Sequence, residues 1–171
     1  MKRSILYFLF IWFGLQAHAQ TTNYKVYSLF VVNIAKFSSF PQQAGGSDFK
    51  IIVLGKSNVF EELQKVAQTK DVNGKKMVVT QQDDVSKLAE AQILYVSDGK
   101  SGSLADAIKK FEGKPVMIIS EREGLFKRGA GLSFIVSEDG KLRLDINKTD
   151  LEKRQVRISQ SVMSSLANVI I

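Results

Sequence analysis

Four short apolar runs, each followed by a stretch long enough for a helix, constrain this chain more than any other feature. They are Phe49 to Leu54, Lys76 to Thr80, Gln92 to Val96 and Pro115 to Ile119. Runs of five or six residues rich in Ile, Val and Leu, without strict polar alternation, suit strands buried on both faces. Strands alternating with helices imply right-handed βαβ crossovers and a mostly parallel sheet.

The intervening segments carry helix signals. Asn58 is placed to cap a helix whose inner face holds Phe60, Leu63 and Val66. Asp83 or Asp84 starts a second helix through Val85 and Leu88, and Ser103 caps a third from Leu104 to Phe111. Asn73-Gly74 marks a turn. Ahead of the first strand, Tyr27, Phe30, Val31, Ile34 and Phe37 share one helical face of a segment from Asn23 to Ser39. That helix must end before Pro41, and the polar run Gln42 to Ser47 is a loop.

After Gly131 the pattern changes. Leu132 to Val136 and Lys141 to Ile146 flank Ser137-Glu138-Asp139-Gly140, a strong hairpin signal. In the second strand Leu142, Leu144 and Ile146 point inward, and Lys141, Arg143 and Asp145 outward. Asn147-Lys148-Thr149 reads as a helix start, and Val162, Leu166, Val169 and Ile170 put one face on a terminal helix from Ser159 to Ile171. The expected architecture is a three-layer, Rossmann-like α/β domain. Its mostly parallel sheet carries flanking helices and an antiparallel C-terminal hairpin at the edge. No linker or internal repeat interrupts residues 20–171, so one domain is expected there.

Residues 1–19 have the anatomy of a cleavable secretory signal. Lys2 and Arg3 precede the apolar run Ile5 to Phe13, and Ala17-His18-Ala19 forms the cleavage site. The run is shorter than the roughly 20 residues a spanning helix needs. Cleavage before Gln20 removes the single histidine, His18, from a chain that has no cysteine, and lowers the formal net charge from +7 to +5. About 150 residues remain, enough for one self-sufficient core without disulfides. The expected location is periplasmic.

Without His or Cys, residues 20–171 lack the side chains behind most hydrolytic, redox and metal chemistry. Gly55-Lys56-Ser57 and Gly99-Lys100-Ser101 lie where a phosphate loop would sit, but Lys50 and Leu94 occupy the position of its first glycine. The carboxylates Glu61-Glu62, Asp83-Asp84 and Glu121/Glu123 are near neighbours that do not face one another on a helix. No calcium-loop pattern occurs. No Ser–Lys motif supports a nucleophile. The expectation is a non-catalytic protein without cofactor or metal. Basic residues fall in ones and twos and the aromatics lie in apolar runs, which argues against nucleic acid. Gly124 to Gly131 combines glycines, Phe126 and the cations Lys127 and Arg128, and it follows the fourth strand, where open α/β sheets bind ligands.

The order of segments resembles the YfiR-like family of small periplasmic proteins. The segments are YSLFVVNIAKFSSFP (27–41), FKIIVLG (49–55), VNGKKMVV (72–79), AQILYV (91–96), PVMIISEREGLFKRGAG (115–131), the hairpin from Phe134 to Ile146, and ISQSVMSSLANVI (158–170). The most specific parts are Ala35-Lys36-Phe37 ahead of Phe40-Pro41, the Phe126 loop, and Phe134, Gly140, Ile146 and Asn147 in the hairpin. Phe40 replaces the family's Trp, and Gly129-Ala130-Gly131 stands where Gly-Gly is usual.

The resemblance implies a repressor that binds the periplasmic domain of an inner-membrane signalling protein and is released by a signal from the outer envelope. A diguanylate cyclase and a sensor histidine kinase both fit as partner, and homodimerisation is left open. Some relatives carry cysteines for redox control; this chain has none. Phe37, Phe40, Phe126, Lys127 and Arg128 are the expected partner-binding residues. The competing reading is a periplasmic small-molecule binding module. Its site would use the turns at Gly55, Ser97 to Gly99 and Ser120 to Arg122.

Overall fold

The computed structural model describes residues 23–41 and 47–171. The signal segment at 1–19 and most of the 42–47 loop lie outside these residues. The leading helix α1 (Tyr24–Lys36) is capped by Asn23, whose side chain accepts from the Val26 N–H at 3.3 Å. Short β1 (Ser38–Ser39) follows, then β2 (Asp48–Leu54), α2 (Val59–Ala67), β3 (Asp71–Val72) and β4 (Lys75–Gln82). Next come β5 (Ile93–Val96), α3 (Leu104–Lys110), β6 (Met117–Ser120), β7 (Leu132–Val136) and β8 (Leu142–Ile146). The chain closes with α4 (Lys148–Lys153), β9 (Arg157–Ile158), α5 (Gln160–Leu166) and β10 (Ala167–Ile170).

Eight strands form the main sheet in the order β10-β8-β7-β6-β5-β2-β4-β3. β2 pairs in parallel with both β4 and β5, β5 with β6, and β6 with β7. Side-chain alternation explains the three layers. Phe49, Ile51, Val53, Ile93, Tyr95, Met117 and Ile119 point to the face covered by α1 and α2. Ile52, Leu54, Leu94, Val96 and Ile118 point to the face holding Leu104, Ala107 and Phe111 of the α3 region. Every residue of β5 and β6 is buried, so both strands are read as continuous apolar runs. On the α1 side, Tyr27 lies 4.5 Å from Phe134 of β7, ring centre to ring centre.

Several local expectations hold. Asn73 and Gly74 take φ of +52° and +79°, the mirror-image turn that matches strand twist, and join β3 to β4. The Asp139-Gly140 turn closes with the Gly140 N–H donating to the Ser137 carbonyl at 2.8 Å, and β7 and β8 pair antiparallel. Asn147 caps α4.

Others are corrected. The segment from Asp83 is one 3-10 turn, Val85–Lys87, because Asp84 accepts from the Ser86 N–H and the backbone is already extended at Leu88. Asn58 and Ser103 make no capping bond through their side chains. Ser57 Oγ accepts from the Val59 N–H instead. The terminal helix stops at Leu166, and Ala167–Ile170 turns into β10, pairing parallel with β8. The hairpin is therefore not the sheet edge. This also reverses Asp145: β10 covers it, leaving it 4% exposed and accepting from Asn168 Nδ2 at 2.9 Å.

Candidate functional site

Phe37 ends α1 and leaves its inner face. Its N–H donates to the Asn33 carbonyl at 3.1 Å, and the backbone then departs from helical geometry. Ser38 Oγ returns to the Ile34 carbonyl at 2.6 Å. The Phe37 carbonyl accepts from the Ser159 N–H at 2.9 Å, next to the antiparallel β1–β9 pair. The main chain is thus held at both sides while the Phe37 ring stays 54% exposed. A large apolar ring on a fixed backbone is costly to leave in water and cheap to immobilise on binding.

Phe40 is half-buried, edge-on to Phe49 at 5.6 Å between ring centres. With Pro41 it forms a ridge between two hollows. The larger, about 700 Å³, is lined by Leu151 and Glu152 of α4, the stretch from Gln155 to Ile158, and Met163 of α5. The smaller, about 240 Å³, lies at the amino ends of β2, β5 and β6, between Asp48, Lys50, Gln92 and the Lys114–Val116 segment. Lys148 and Arg157 with Glu152 edge the first hollow, and Lys50 and Lys114 with Glu90 edge the second. An apolar floor with a polar, mixed-charge rim is the anatomy of a protein-binding patch. Sequence reasoning pointed to the ridge but missed the α4 and α5 walls, because its continuous terminal helix left no reason to fold α5 back here.

The Phe126 loop is built differently from expectation. Leu125–Arg128 is a 3-10 turn, and Phe126 is only 2% exposed. Its N–H donates to Ser133 Oγ at 2.7 Å, and its carbonyl accepts from Asn147 Nδ2 at 2.8 Å. Phe126 is a packing residue, so its ring offers nothing to a partner. Lys127 Nζ sits 5.6 Å from the Phe126 ring centre. Arg128 is exposed beside Gly129, Asp150 and Lys153. The Phe40 hollow uses Lys148, Leu151 and Glu152, the other face of α4. Phe37 precedes the Phe40-Pro41 ridge by three residues and lines neither hollow, and Arg128 lies on the other side of α4 from that ridge.

The turns at the carboxyl end of the sheet are filled by their own side chains. Gly55 has φ +88°, and a Cβ there would strike Ser97 Oγ and Lys100 Cγ. Arg122 Nε donates to Asp98 Oδ1 at 2.6 Å, and this bond lowers the Asp98 pKa. Glu121 accepts from the Tyr24 hydroxyl at 2.9 Å and from the Asp98 N–H at 3.3 Å. Burial, reinforced by Glu121, raises the pKa of Tyr27 and of the deeply buried Tyr95. Among the described residues no group of three or more His, Cys, Asp or Glu could hold a metal.

Residues 24–167 match the model of YfiR/HmsC-like proteins. The chain belongs to the YfiR/HmsC-like family. Membership brings a periplasmic regulatory role in the family sense. Within the matched residues, Asn147 stitches the Phe126 loop to the start of α4. Among curated proteins, none matches this YfiR/HmsC-like sequence. A conserved domain protein from Vibrio cholerae O1 biovar El Tor, solved by crystallography, is similar in fold: TM-score 0.54, 13% identity, over 88% of this chain and 60% of that one. This chain thus spans three-fifths of that structure's length. No helix among the described residues is long and apolar enough to cross a membrane.

Proposed function

We propose that this YfiR/HmsC-like protein is a non-catalytic repressor that binds the extracytoplasmic domain of a membrane signalling protein, a diguanylate cyclase or a sensor kinase. Residues 1–19 export it and are cleaved before Gln20. The exposed Phe37 ring on its hydrogen-bonded backbone carries this reading. Phe37 anchors the contact, the Phe40-Pro41 ridge seats in the partner, and the flanking hollows receive partner side chains. Lys127 and Arg128, beyond α4, lie outside this surface.

The mechanism needs no chemistry on the chain. A domain with a rigid binding surface stabilises the partner's inactive conformation by its differential affinity for that state. Output follows occupancy, and a signal from the outer envelope acts by lowering affinity.

Affinity capture of the protein on solubilised membranes of its own organism, with mass spectrometry of the eluate, tests the reading. Recovery of one inner-membrane cyclase or kinase supports it. Recovery of no membrane signalling protein contradicts it.

A further inference from the structure

Arg128, which the Phe40 surface leaves unused, meets two other cations on the far side of α4. Lys109 in the last turn of α3, Arg128 in the loop after β6 and Lys153 at the end of α4 border one cleft of about 450 Å³. These residues are scattered in the sequence, and the fold collects them from three separate elements. All three are exposed, and none makes an ion pair or side-chain hydrogen bond among the described residues.

Arg154 stands in the wall of the same cleft, only 6% exposed. Its guanidinium is pinned by two bonds, from Nε to Asp150 Oδ2 at 2.9 Å and from Nη1 to the Phe111 carbonyl at 3.0 Å. Nη2 keeps its N–H groups without a partner among the described residues. Nor is Nη2 sealed from solvent: among those residues the fully buried, unpartnered side-chain atoms are the Tyr95 hydroxyl and Ser97 Oγ. Two carboxylates oppose the cations, Asp150 on Arg154 and Glu112 at the rim, which leaves the cleft an excess of two positive charges. Cations suit helix C-termini, and this accounts for Lys109 and Lys153 one at a time. It does not account for their meeting Arg128 from a different loop, or for a pinned guanidinium with a spare nitrogen beside them.

We infer that this cleft is an anion site that takes a phosphate monoester. Such a group carries close to two negative charges at neutral pH, matching the excess in the cleft. Its oxygens accept well from guanidinium N–H groups, and the pinned Arg154 loses little side-chain entropy in donating to them. Lys109, Arg128 and Lys153 meet the remaining oxygens, and Ala105 and Ile108 of α3 supply an apolar wall for the organic part. A free ester and the headgroup of an anionic lipid share this chemistry. The cleft has no lining residue in common with the hollows beside Phe40, so the inference does not depend on what binds there.

Titration of the isotopically labelled protein with phenyl phosphate at about pH 8, where the ester is a dianion, tests the site by amide NMR. Saturable shifts are expected at Gly113, Gly129 and Lys153, which line the cleft. Phenyl sulfate, of the same shape with one charge fewer, should bind more weakly. Arg128→Ala combined with Lys153→Ala should lower the affinity for phenyl phosphate at least about tenfold and leave the melting temperature within a few degrees, because both side chains are exposed. Lys109→Ala combined with Arg128→Ala gives the same reading if the first variant folds poorly. Co-sedimentation with phosphatidylcholine vesicles, with and without phosphatidic acid, separates the two sources. Binding that requires phosphatidic acid and is lost in the variant supports the site as a lipid-headgroup cleft, and binding of phenyl phosphate alone supports it as a site for a free ester. Absence of both, shifts confined to other parts of the protein, or equal affinity of the variant overturns the inference.

Discussion

Asn147 Nδ2 donates to the Phe126 carbonyl at 2.8 Å while Asn147 Oδ1 accepts from the Asp150 N–H, also at 2.8 Å. One side chain therefore starts α4 and holds a loop 21 residues earlier in the chain. Asn147→Ala should destabilise the fold by about 2–3 kcal/mol, a lost cap plus an unpartnered carbonyl. Asn147→Asp keeps the cap and loses only the donor, so it should fall between the two. Urea unfolding of the three proteins checks the order.

Arg154 is the buried cation among the described residues. It is 6% exposed, donates from Nε to Asp150 Oδ2 at 2.9 Å and from Nη1 to the Phe111 carbonyl at 3.0 Å. Removing one side of such a pair strands the other charge, so Arg154→Ala should cost about 3–5 kcal/mol. Replacing Lys127 or Lys153, both exposed, should change stability by less than about 0.5 kcal/mol. Chemical denaturation distinguishes the cases.

Phe37 and Phe126 make a contrasting pair. Phe126→Ala opens a cavity in a packed site and should lower stability by about 3–5 kcal/mol. Phe37→Ala removes a half-exposed ring from a helix end and should leave the melting temperature within a few degrees. Capture efficiency should show the reverse order among variants that fold.

Alkaline pH should destabilise the protein through Tyr27 and Tyr95. Burial and Glu121 raise both phenols above their ordinary value in the folded state. Above about pH 10 the unfolded chain releases these protons while the folded chain keeps them, so the unfolded state binds fewer and stability falls. Tyr95 has a buried hydroxyl without a hydrogen-bond partner among the described residues. Tyr95→Phe should therefore be neutral or stabilising at pH 7 and should flatten the alkaline decline. Melting curves across pH 8 to 11 measure both effects.

The parallel sheet was legible because β2, β5 and β6 announce double-sided burial in a few residues each, and Asn73-Gly74 and Asp139-Gly140 are turns that chemistry dictates. The C-terminal segment was not. Val162, Leu166, Val169 and Ile170 satisfy a helical period, yet the chain gains more by completing the ladder on β8 and covering Asp145 than by another turn of helix. Tertiary pairing overrides local periodicity there. Phe126 looked exposed because glycines and cations surround it, a composition that also describes a tight turn anchored by one buried ring. Gly129 shows why: it takes φ +95°, and a Cβ there would lie 2.9 Å from Ile108 Cδ1. Of the expected partner residues, the exposure of Phe37 came from its position as the residue that ends α1, a boundary that periodicity alone did not place.

The most direct measurement is the affinity of the wild-type protein and of Phe37→Asp for the extracytoplasmic domain of the membrane signalling protein it captures, by isothermal titration calorimetry. Phe37 as the anchor predicts a loss of at least about 30-fold, the hot-spot scale of some 2 kcal/mol, with an unchanged melting temperature. Equal affinities for the two proteins would contradict the account.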